Sequence, residues 1–412
     1  MQDSALLPLF IDPFKEGHRL SHGEALLAHA ERDPAQRFVL ALHESLVSRL
    51  QATPRWAAVL GKQVTLVPLG GDVAQGVKPN NKDIPGGLRL IRLAEQLAAA
   101  HGCNHVHFLH LDTVLLALFV RSFTGMKLPV SGMYMTATEH YGSLFGANLS
   151  RGERLFAHVK RLVVSRLLSR RKITAIHVFD EFVPAFYQRH AKGHKVIAIP
   201  DFAPMPTESR QPDGMESWLA APNRFSLFGA IEDRKGIFPL LDGLMLLDAG
   251  QASGISLALL GRFQGHTRDR FNEVMESLRQ ARPEIRVAVV DRFVDDEEIL
   301  WLCRNSTAIM MPYQRHRGSS GVLVWAAHAR VPVLAQSFGL MGREVNDHKL
   351  GIAVNSEDPA AIAEGLRILS AHAHEPYDDA AIAWAGRHTA AEFARQTILN
   401  LAAPEGTVTP RQ

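Results

Sequence analysis

Short apolar runs alternate along the chain with longer segments in which apolar residues recur at helical spacing. This alternation is typical of βαβ units that build a parallel sheet. In the first half, the helical spacing predicts helices over Leu88–Ala100 and Thr113–Ser122. The apolar runs there predict six strands, which are Leu6–Ile11, Val64–Pro68, His105–Leu109, Leu128–Met133, Ile173–Val178 and Lys195–Ile199.

The alternation stops after Pro200 and restarts at Arg224. Between them lies a stretch with four prolines and no clear periodicity, which predicts a domain boundary. We therefore predict an α/β protein with two doubly wound parallel-sheet domains. The predicted segments are an N-terminal domain at 1–205, a linker at 206–222, a C-terminal domain at 223–385, and a C-terminal helix and tail at 386–412 that could pack back on the N-terminal domain.

Composition fits this division, because 412 residues exceed what one hydrophobic core usually covers. The 46% hydrophobic and 21% charged residues are ordinary for a globular protein, and a net charge of +3 gives no global indication of a nucleic-acid partner. Two cysteines, Cys103 and Cys303, cannot make a disulfide framework, which favours a reducing, cytoplasmic compartment. No signal-peptide pattern and no apolar run of about 18 residues is present, so we predict neither secretion nor a membrane span.

The residues that directly follow predicted strands are the first candidates for chemistry, because ligands of such sheets bind beyond the carboxyl ends of the strands. In LFGAIEDRKGI, Gly229 ends a predicted strand, and Arg234 and Lys235 come just before a predicted helix. Two cations beside a helix N-terminus suit a diphosphate, since guanidinium binds phosphate oxygens bidentately and ammonium acts as a compact charge. A solvated polar loop is the alternative.

The second candidate is RGSSG, residues Arg317, Gly318, Ser319, Ser320 and Gly321, which leads into an apolar helical pattern. Free N–H groups at a helix N-terminus can bind an anion, and glycines let a ligand approach the backbone closely. Helix capping is the alternative, although it explains only one of the two serines.

In the first half, Gly17 and His18 follow the first predicted strand, and Asp112 and His140 follow two others. Because these strands end at one edge of a sheet, the four residues are candidates for catalysis or for binding an acceptor. Asp112 could orient an acceptor hydroxyl. The chain has 20 histidines, so a structural or solvated histidine is the competing interpretation at His18 and His140.

The segment 151–172 contains eight Lys or Arg and one Glu, and it predicts an amphipathic helix. A domain helix that buries its apolar stripe in the core is the favoured interpretation. The alternative is a helix that lies on an anionic membrane surface. The predicted stripe consists of Leu155, Phe156, Val159, Leu162, Val163 and Leu167.

The sequence contains no His or carboxylate cluster at metal-ligand spacing, no P-loop, and no dinucleotide fingerprint after a strand. We therefore predict neither a bound metal nor a cofactor.

The second half contains, in order, LFGAIEDRKGIFPLLDGL, LALLGRF, VVDRFVDDEEILWLCRNSTAIMMPY, SSGVLVWAAHARVPVLAQSFGLMG and LGIAVNSEDPAAIAEGL. Over roughly residues 223–372 this series resembles the donor-binding domain of retaining GT-B glycosyltransferases, in particular glycosyltransferase family 4. The resemblance implies two Rossmann-like domains that face a central cleft. It implies a nucleotide sugar bound by the C-terminal domain, an acceptor bound by the N-terminal domain, and transfer with retention and without a metal.

The resemblance also assigns roles to individual residues. Lys235 matches the family's lysine before glycine, and His140 follows a strand where the family often has a histidine that contacts the donor sugar. Three positions depart from the family. An arginine is usual where this chain has Ala230, and two glutamates are usual where it has Arg317 and Trp325. A tryptophan cannot accept hydrogen bonds from a ribose, as the second glutamate does.

The sequence thus predicts a cytoplasmic hexosyltransferase, peripheral to the inner face of the membrane if 151–172 binds lipid, with a role in polysaccharide biosynthesis. It would transfer a sugar from a nucleoside diphosphate donor to a hydroxyl of a glycan, lipid-linked or other acceptor. A catalytically silent homologue that binds a nucleotide sugar or a partner as a scaffold is the main alternative. Epimerisation or phosphorolysis on the same fold is a further one.

Overall fold

The computed structural model describes residues 6–401 except 78–82, 147–148, 189–192 and 373–376. Its contacts divide the chain into two compact units. The first unit runs to Pro200 and resumes at Ala390, and the second unit is Asp201–Thr389. The second unit is therefore one continuous stretch of chain that interrupts the first.

The first unit contains a parallel sheet. Its strands are β1 Pro8–Asp12, β2 Phe38–His43, β3 Val64–Leu69, β4 His105–Phe108, β5 Val130–Met133, β6 Ile173–Val178 and β7 Val196–Ala198. They lie in the order β3-β2-β1-β4-β5-β6-β7. Every residue of β1 and β2 is buried, as expected for strands inside a parallel sheet. The helices before Pro200 are α1 Arg19–Arg32, α2 Glu44–Ala52, α3 Gly71–Gln75, α4 Ile84–Ala100, α5 Leu115–Thr124, α6 Tyr141–Leu144, α7 Arg151–Leu168 and α8 Val183–Gln188.

The second unit contains another parallel sheet. Its strands are β8 Asn223–Phe228, β9 Ile255–Leu260, β10 Arg286–Val290, β11 Ala308–Met311, β12 Val333–Gln336 and β13 Gly351–Val354, in the order β10-β9-β8-β11-β12-β13. The helices are α9 Glu216–Leu219, α10 Ile237–Met245, α11 Ala249–Ser253, α12 Thr267–Ala281, α13 Asp296–Asn305, α14 Gly321–His328, α15 Gly339–Asp347, α16 Pro359–Ala371 and α17 Asp379–Arg387.

The last described helix, α18 Ala390–Leu399, belongs to the first unit and packs on α1. The ring of Phe393 on α18 is fully buried and lies 4.8 Å from the ring of His22 on α1. Just after α18, the carbonyl oxygen of Leu401 accepts a hydrogen bond of 2.6 Å from the hydroxyl of Thr174. The first unit is thus built from the parts of the chain that precede and follow the second unit in sequence.

The alternation of apolar runs and helical segments correctly predicted two parallel-sheet α/β units. All six strands expected in the first half are present, and Ile173–Val178 has the predicted bounds. Strand β2 was not predicted. After Gly236 the chain forms two helices, since α10 ends at Met245 and the separate short helix α11 follows. The stretch 206–222 belongs to the second unit, in whose core Met215 and Trp218 are buried.

Helix α7 buries a different face from the one predicted. Of the six residues in the predicted stripe, only Val163 and Leu167 are buried, and the other four are exposed. The buried face also includes Lys160, whose ammonium donates hydrogen bonds to the carbonyl oxygen and the hydroxyl of Thr136. The prediction of a core helix that hides its whole apolar stripe is therefore wrong. None of the described helices is both long enough and apolar enough to cross a membrane.

Candidate functional site

The strand order of the second sheet reverses between β8 and β11, which makes this gap its topological switch point. The loops that leave the carboxyl ends of these two strands, 229–236 and 312–320, therefore flank the crevice in which such sheets bind ligands. The two loops also touch. The backbone N–H of Gln314 donates to the carbonyl oxygen of Arg234 at 2.8 Å. Gly236 has φ +74°, and a Cβ there would lie 1.7 Å from the carbonyl oxygen of Pro312, so only glycine fits.

Lys235 places a buried ammonium group at the carboxyl end of β8. Its Nζ donates a hydrogen bond to the carbonyl oxygen of Phe228, the last residue of that strand, and lies 5.6 Å from the ring centre of Tyr313. Gly229, at φ +91°, makes room for it, because a Cβ there would lie 2.7 Å from Nζ. The site therefore holds a positive charge at the switch point.

Arg234 does not join Lys235. Its guanidinium is exposed and pairs with Glu232 at 2.5 Å. The two cations that the sequence places side by side thus have different surroundings, since a short 3-10 turn over Asp233–Lys235 turns one inward and the other outward.

The second loop ends in the predicted glycine and serine turn, which leads directly into α14. Gly318 has φ +98°, and Ser320 is the N-cap residue of α14 in extended geometry. The hydroxyl of Ser320 makes no capping hydrogen bond, so capping does not explain this serine. The first-turn N–H groups of a helix point out of its N-terminus, so they and the serine hydroxyls are suited to an anion. Arg317, just before the turn, is partly buried.

Sequence reasoning missed the residue that holds this loop. Gln336, fully buried at the end of β12, accepts a hydrogen bond from the backbone N–H of His316 at 2.9 Å and donates back to its carbonyl oxygen at 2.6 Å. The ring of His316 packs edge-on against Tyr313, and burial lowers its pKa. The only signal in the sequence is a polar residue that ends an otherwise apolar strand.

In the first sheet, the switch point lies between β1 and β4. Asp12 ends β1 and is buried. Its carboxylate accepts a hydrogen bond of 3.0 Å from Nε of Arg19, whose other end lies 3.0 Å from Nδ1 of His110. Burial raises the pKa of Asp12, and the Arg19 charge opposes this shift. Gly17, at φ +76°, and the exposed His18 lie in the loop that leads from Asp12 to α1.

Asp112 connects two loops of the first unit. It follows β4, and its carboxylate accepts hydrogen bonds from the backbone N–H groups of Met135 at 2.8 Å and Thr136 at 3.1 Å, both after β5. It also accepts one from the Thr136 hydroxyl. These donors occupy the oxygens that were expected to orient an acceptor hydroxyl, so Asp112 is better suited to positioning a loop.

His140 has no exposed surface. Its Nε2 lies 2.8 Å from a carboxylate oxygen of Asp180, which follows β6. The rings of Tyr141, Phe145 and Phe186 lie within 6.0 Å of its own ring centre. A direct contact between this histidine and a sugar is therefore not available in this conformation.

A cavity of about 330 Å³ lies beside α6, α7 and α8. Glu139 is one of its lining residues, and its carboxylate accepts hydrogen bonds from the hydroxyls of Tyr134 and Tyr187 and from the N–H of Thr138. Burial, reinforced by Glu139, raises the pKa of Tyr134. The remaining lining includes the basic side chains Arg154, His158 and Arg161 of α7.

The protein has the GT-B fold, which consists of two parallel-sheet units, and here the candidate residues lie at the switch points of both sheets. Solved structures that are similar to this chain confirm this part of the prediction. HepE from Anabaena, solved with UDP and glucose, is similar at a TM-score of 0.61 and 14% identity, over 96% of this chain and 99% of that one. A glycosyltransferase from Rickettsia africae is similar at a TM-score of 0.65 and 12% identity, over 96% of this chain and 97% of that one. Sucrose-phosphate synthase from Thermosynechococcus elongatus is similar at a TM-score of 0.60 and 16% identity, over 96% of this chain and 94% of that one. No family model and no curated protein matches the sequence.

Proposed function

We propose that this protein is a glycosyltransferase that transfers a hexose from a nucleoside diphosphate sugar to a hydroxyl of a glycan, lipid-linked or other acceptor, with retention. The observation that carries the proposal is the buried ammonium of Lys235 at the switch point between β8 and β11. A fixed cation there can stabilise the negative charge that develops on a leaving diphosphate. HepE, which shares the fold, was solved with UDP-glucose, and this supports a nucleotide sugar as the donor.

In this proposal the diphosphate lies between the two loops of the second unit. Lys235 supplies the charge, and Ser319, Ser320 and the amides at the start of α14 supply hydrogen-bond donors. Gly229, Gly318 and Gly321 allow the close approach, while Arg317 adds a cation at the entrance of the turn. Arg234 can contribute only after its pair with Glu232 opens.

The first unit would bind the acceptor through the loop that contains Gly17 and His18. Asp112 and His140 would act there as positioning residues. The carboxylate of Asp112 already accepts hydrogen bonds from protein donors, and His140 is buried against Asp180. Neither would touch the substrate directly.

One observation favours the silent homologue as a second candidate. Trp325, which stands where the resemblance leads us to expect a ribose-binding glutamate, is buried in the core of the second unit. This position therefore offers the ribose no hydrogen-bond acceptor. A nucleotide would be held by its diphosphate alone or by acceptors elsewhere.

Thermal stabilisation by UDP, GDP, ADP and TDP and their sugar conjugates tests the proposal. We expect one nucleotide family to raise Tm of the wild-type protein, since a ligand that binds only the folded state stabilises it. At a ligand concentration of about 100 Kd, the stabilisation is about 2.7 kcal/mol. The increase should be lost in Lys235→Ala and kept in Lys62→Ala, which removes an exposed lysine of the other unit.

Each variant is compared with its own ligand-free Tm, so that any loss of stability is separated from loss of binding. If a nucleotide sugar raises Tm but no nucleotide is released from it in the presence of acceptors, the silent homologue would be favoured. No shift with any nucleotide, or an equal shift in Lys235→Ala, would contradict the diphosphate site.

A further inference from the structure

Helix α7 exposes an apolar strip that nothing in the first unit covers within the described residues. Leu155 is 67% exposed and Leu162 55%, and Phe156 and Val159, which come between them in sequence, are also exposed. Phe123, at the end of α5, is 62% exposed and lies beside the last turns of α7, where its ring contacts the guanidinium of Arg166 at 5.1 Å. We call these five side chains the α7 face.

Exposed side chains of this size are individually normal, but a continuous strip on one helix marks an interaction surface. The strip is not a consequence of a poorly packed helix. The opposite side of α7 is well buried through Val163, Val164, Leu167 and Leu168. The N-terminus is fixed by a capping box between Ser150 and Glu153. The helix is therefore held in the unit with its other apolar residues directed outward.

The charges around the α7 face indicate what it binds. The segment 151–172 has eight Lys or Arg and one Glu. Among the described residues, Arg154, Arg161 and Arg166 make no ion pair with a carboxylate, so their charge is available to an anionic partner. Self-association through this face would bring two such basic segments together, and their repulsion opposes it.

We propose that the α7 face docks the protein on the surface of an anionic lipid bilayer. The apolar strip would enter the boundary between headgroups and acyl chains, and the arginines beside it on α7 would contact lipid phosphates. Docking also brings Arg154, His158 and Arg161, which line part of the cavity beside α7, to the headgroup level, where they can contact lipid phosphates. This inference does not depend on the proposed sugar transfer.

Sedimentation of the full chain with vesicles tests the proposal. Vesicles of phosphatidylcholine with about one third phosphatidylglycerol should pellet the protein, and high salt should release much of it, because exposed charges are screened. Phosphatidylcholine alone should pellet little. Leu155→Ser with Leu162→Ser should lower the partition coefficient at least about tenfold, since two exposed leucines no longer enter the boundary. Arg154→Gln with Arg166→Gln should have an effect of roughly the same size.

The matched control is Phe293→Ser with Leu246→Ser, which removes two equally exposed apolar side chains from the second unit. It should bind vesicles as the wild type does. Equal binding to both kinds of vesicle, or equal loss in the control, would overturn the proposal. The proposal would also be overturned if the wild type is a dimer and Leu155→Ser with Leu162→Ser converts it to a monomer without changing vesicle binding. The α7 face would then bind a second copy of the chain. Melting curves of all variants should remain those of the wild type, since every altered side chain is exposed.

Discussion

Replacing Lys235 with methionine is expected to lower kcat/KM for sugar transfer by about 10²–10³-fold, the usual effect of removing one preorganised group that stabilises transition-state charge. Methionine preserves most of the apolar stem in the buried site but cannot donate to Phe228 or to a phosphate. The measurement is nucleotide release with the donor that the thermal-shift panel identifies.

Arg234→Met is the matched comparison, because it removes the neighbouring cation. Its guanidinium is exposed and paired with Glu232, so we expect a loss below about tenfold, as for a partly screened surface charge. If the two variants lose activity equally, the assignment of the main diphosphate cation to Lys235 is wrong. If Lys235→Met retains full activity, the site itself is wrong.

The second large effect is loss of stability in mild acid, caused by histidines buried in the first unit. Burial lowers the pKa of His22 from the ordinary 6.5 to about 3, and those of His105 and His177 to about 4. Burial also lowers the pKa of His107, whose ring lies 5.2 Å from that of His177. His105 and His107 both contact the hydroxyl of Ser131 at 2.8 Å, so the group forms part of the sheet interior.

These histidines stay neutral in the folded protein, whereas in the unfolded chain they gain protons below pH 6.5. Their contribution to the stability of the folded protein is fully present above about pH 6.5 and is lost as the pH falls towards 4. His22, His105 and His177 should each lower the free energy of unfolding by about 2 kcal/mol between pH 7 and pH 5, from about 1.4 kcal/mol per unit of pKa difference, and His107 should act in the same direction. Urea unfolding followed by circular dichroism at both pH values measures the loss.

His177→Gln should reduce this pH sensitivity, and His101→Gln, the same change at an exposed histidine, should not. Tryptophan emission provides an internal comparison, because Trp56 is in the first unit and the other four tryptophans are in the second. The emission should therefore report less acid sensitivity than the circular dichroism. Identical pH dependence in wild type and His177→Gln would contradict the explanation.

Sequence patterns predicted the fold well where turn signals separate the elements. Strand β6 lies between a basic helix end and a polar loop, and its bounds were predicted correctly. Strand β2 was missed because it passes into α2 without a glycine or proline between them. The boundary is set instead by His43, whose side chain accepts a hydrogen bond from the N–H of Ser45. No periodicity in the sequence identifies that capping contact.

The sequence placed Lys235 and the turn at Gly318 in loops that follow strands, and both loops do follow strands, β8 and β11. It did not predict that these two strands are neighbours in the sheet, because the order of elements along the chain does not determine their order in space. Sequence spacing could not show that Lys235 is buried while Arg234 is exposed, because that depends on the turn and on the nearby Tyr313 ring. The rotation of α7 was missed for a similar reason. The buried Lys160 contacts Thr136, a residue distant in sequence.

The return of the chain to the first unit at α18 affects how the protein folds on the ribosome. The second unit, Asp201–Thr389, is continuous and can fold as soon as its own residues have emerged. The first unit cannot complete its core until the later Phe393 reaches α1, although most of its residues are made first. The surface near His22 that Phe393 later covers is therefore exposed throughout synthesis of the second unit. During synthesis, a chaperone should consequently bind the first unit rather than the second.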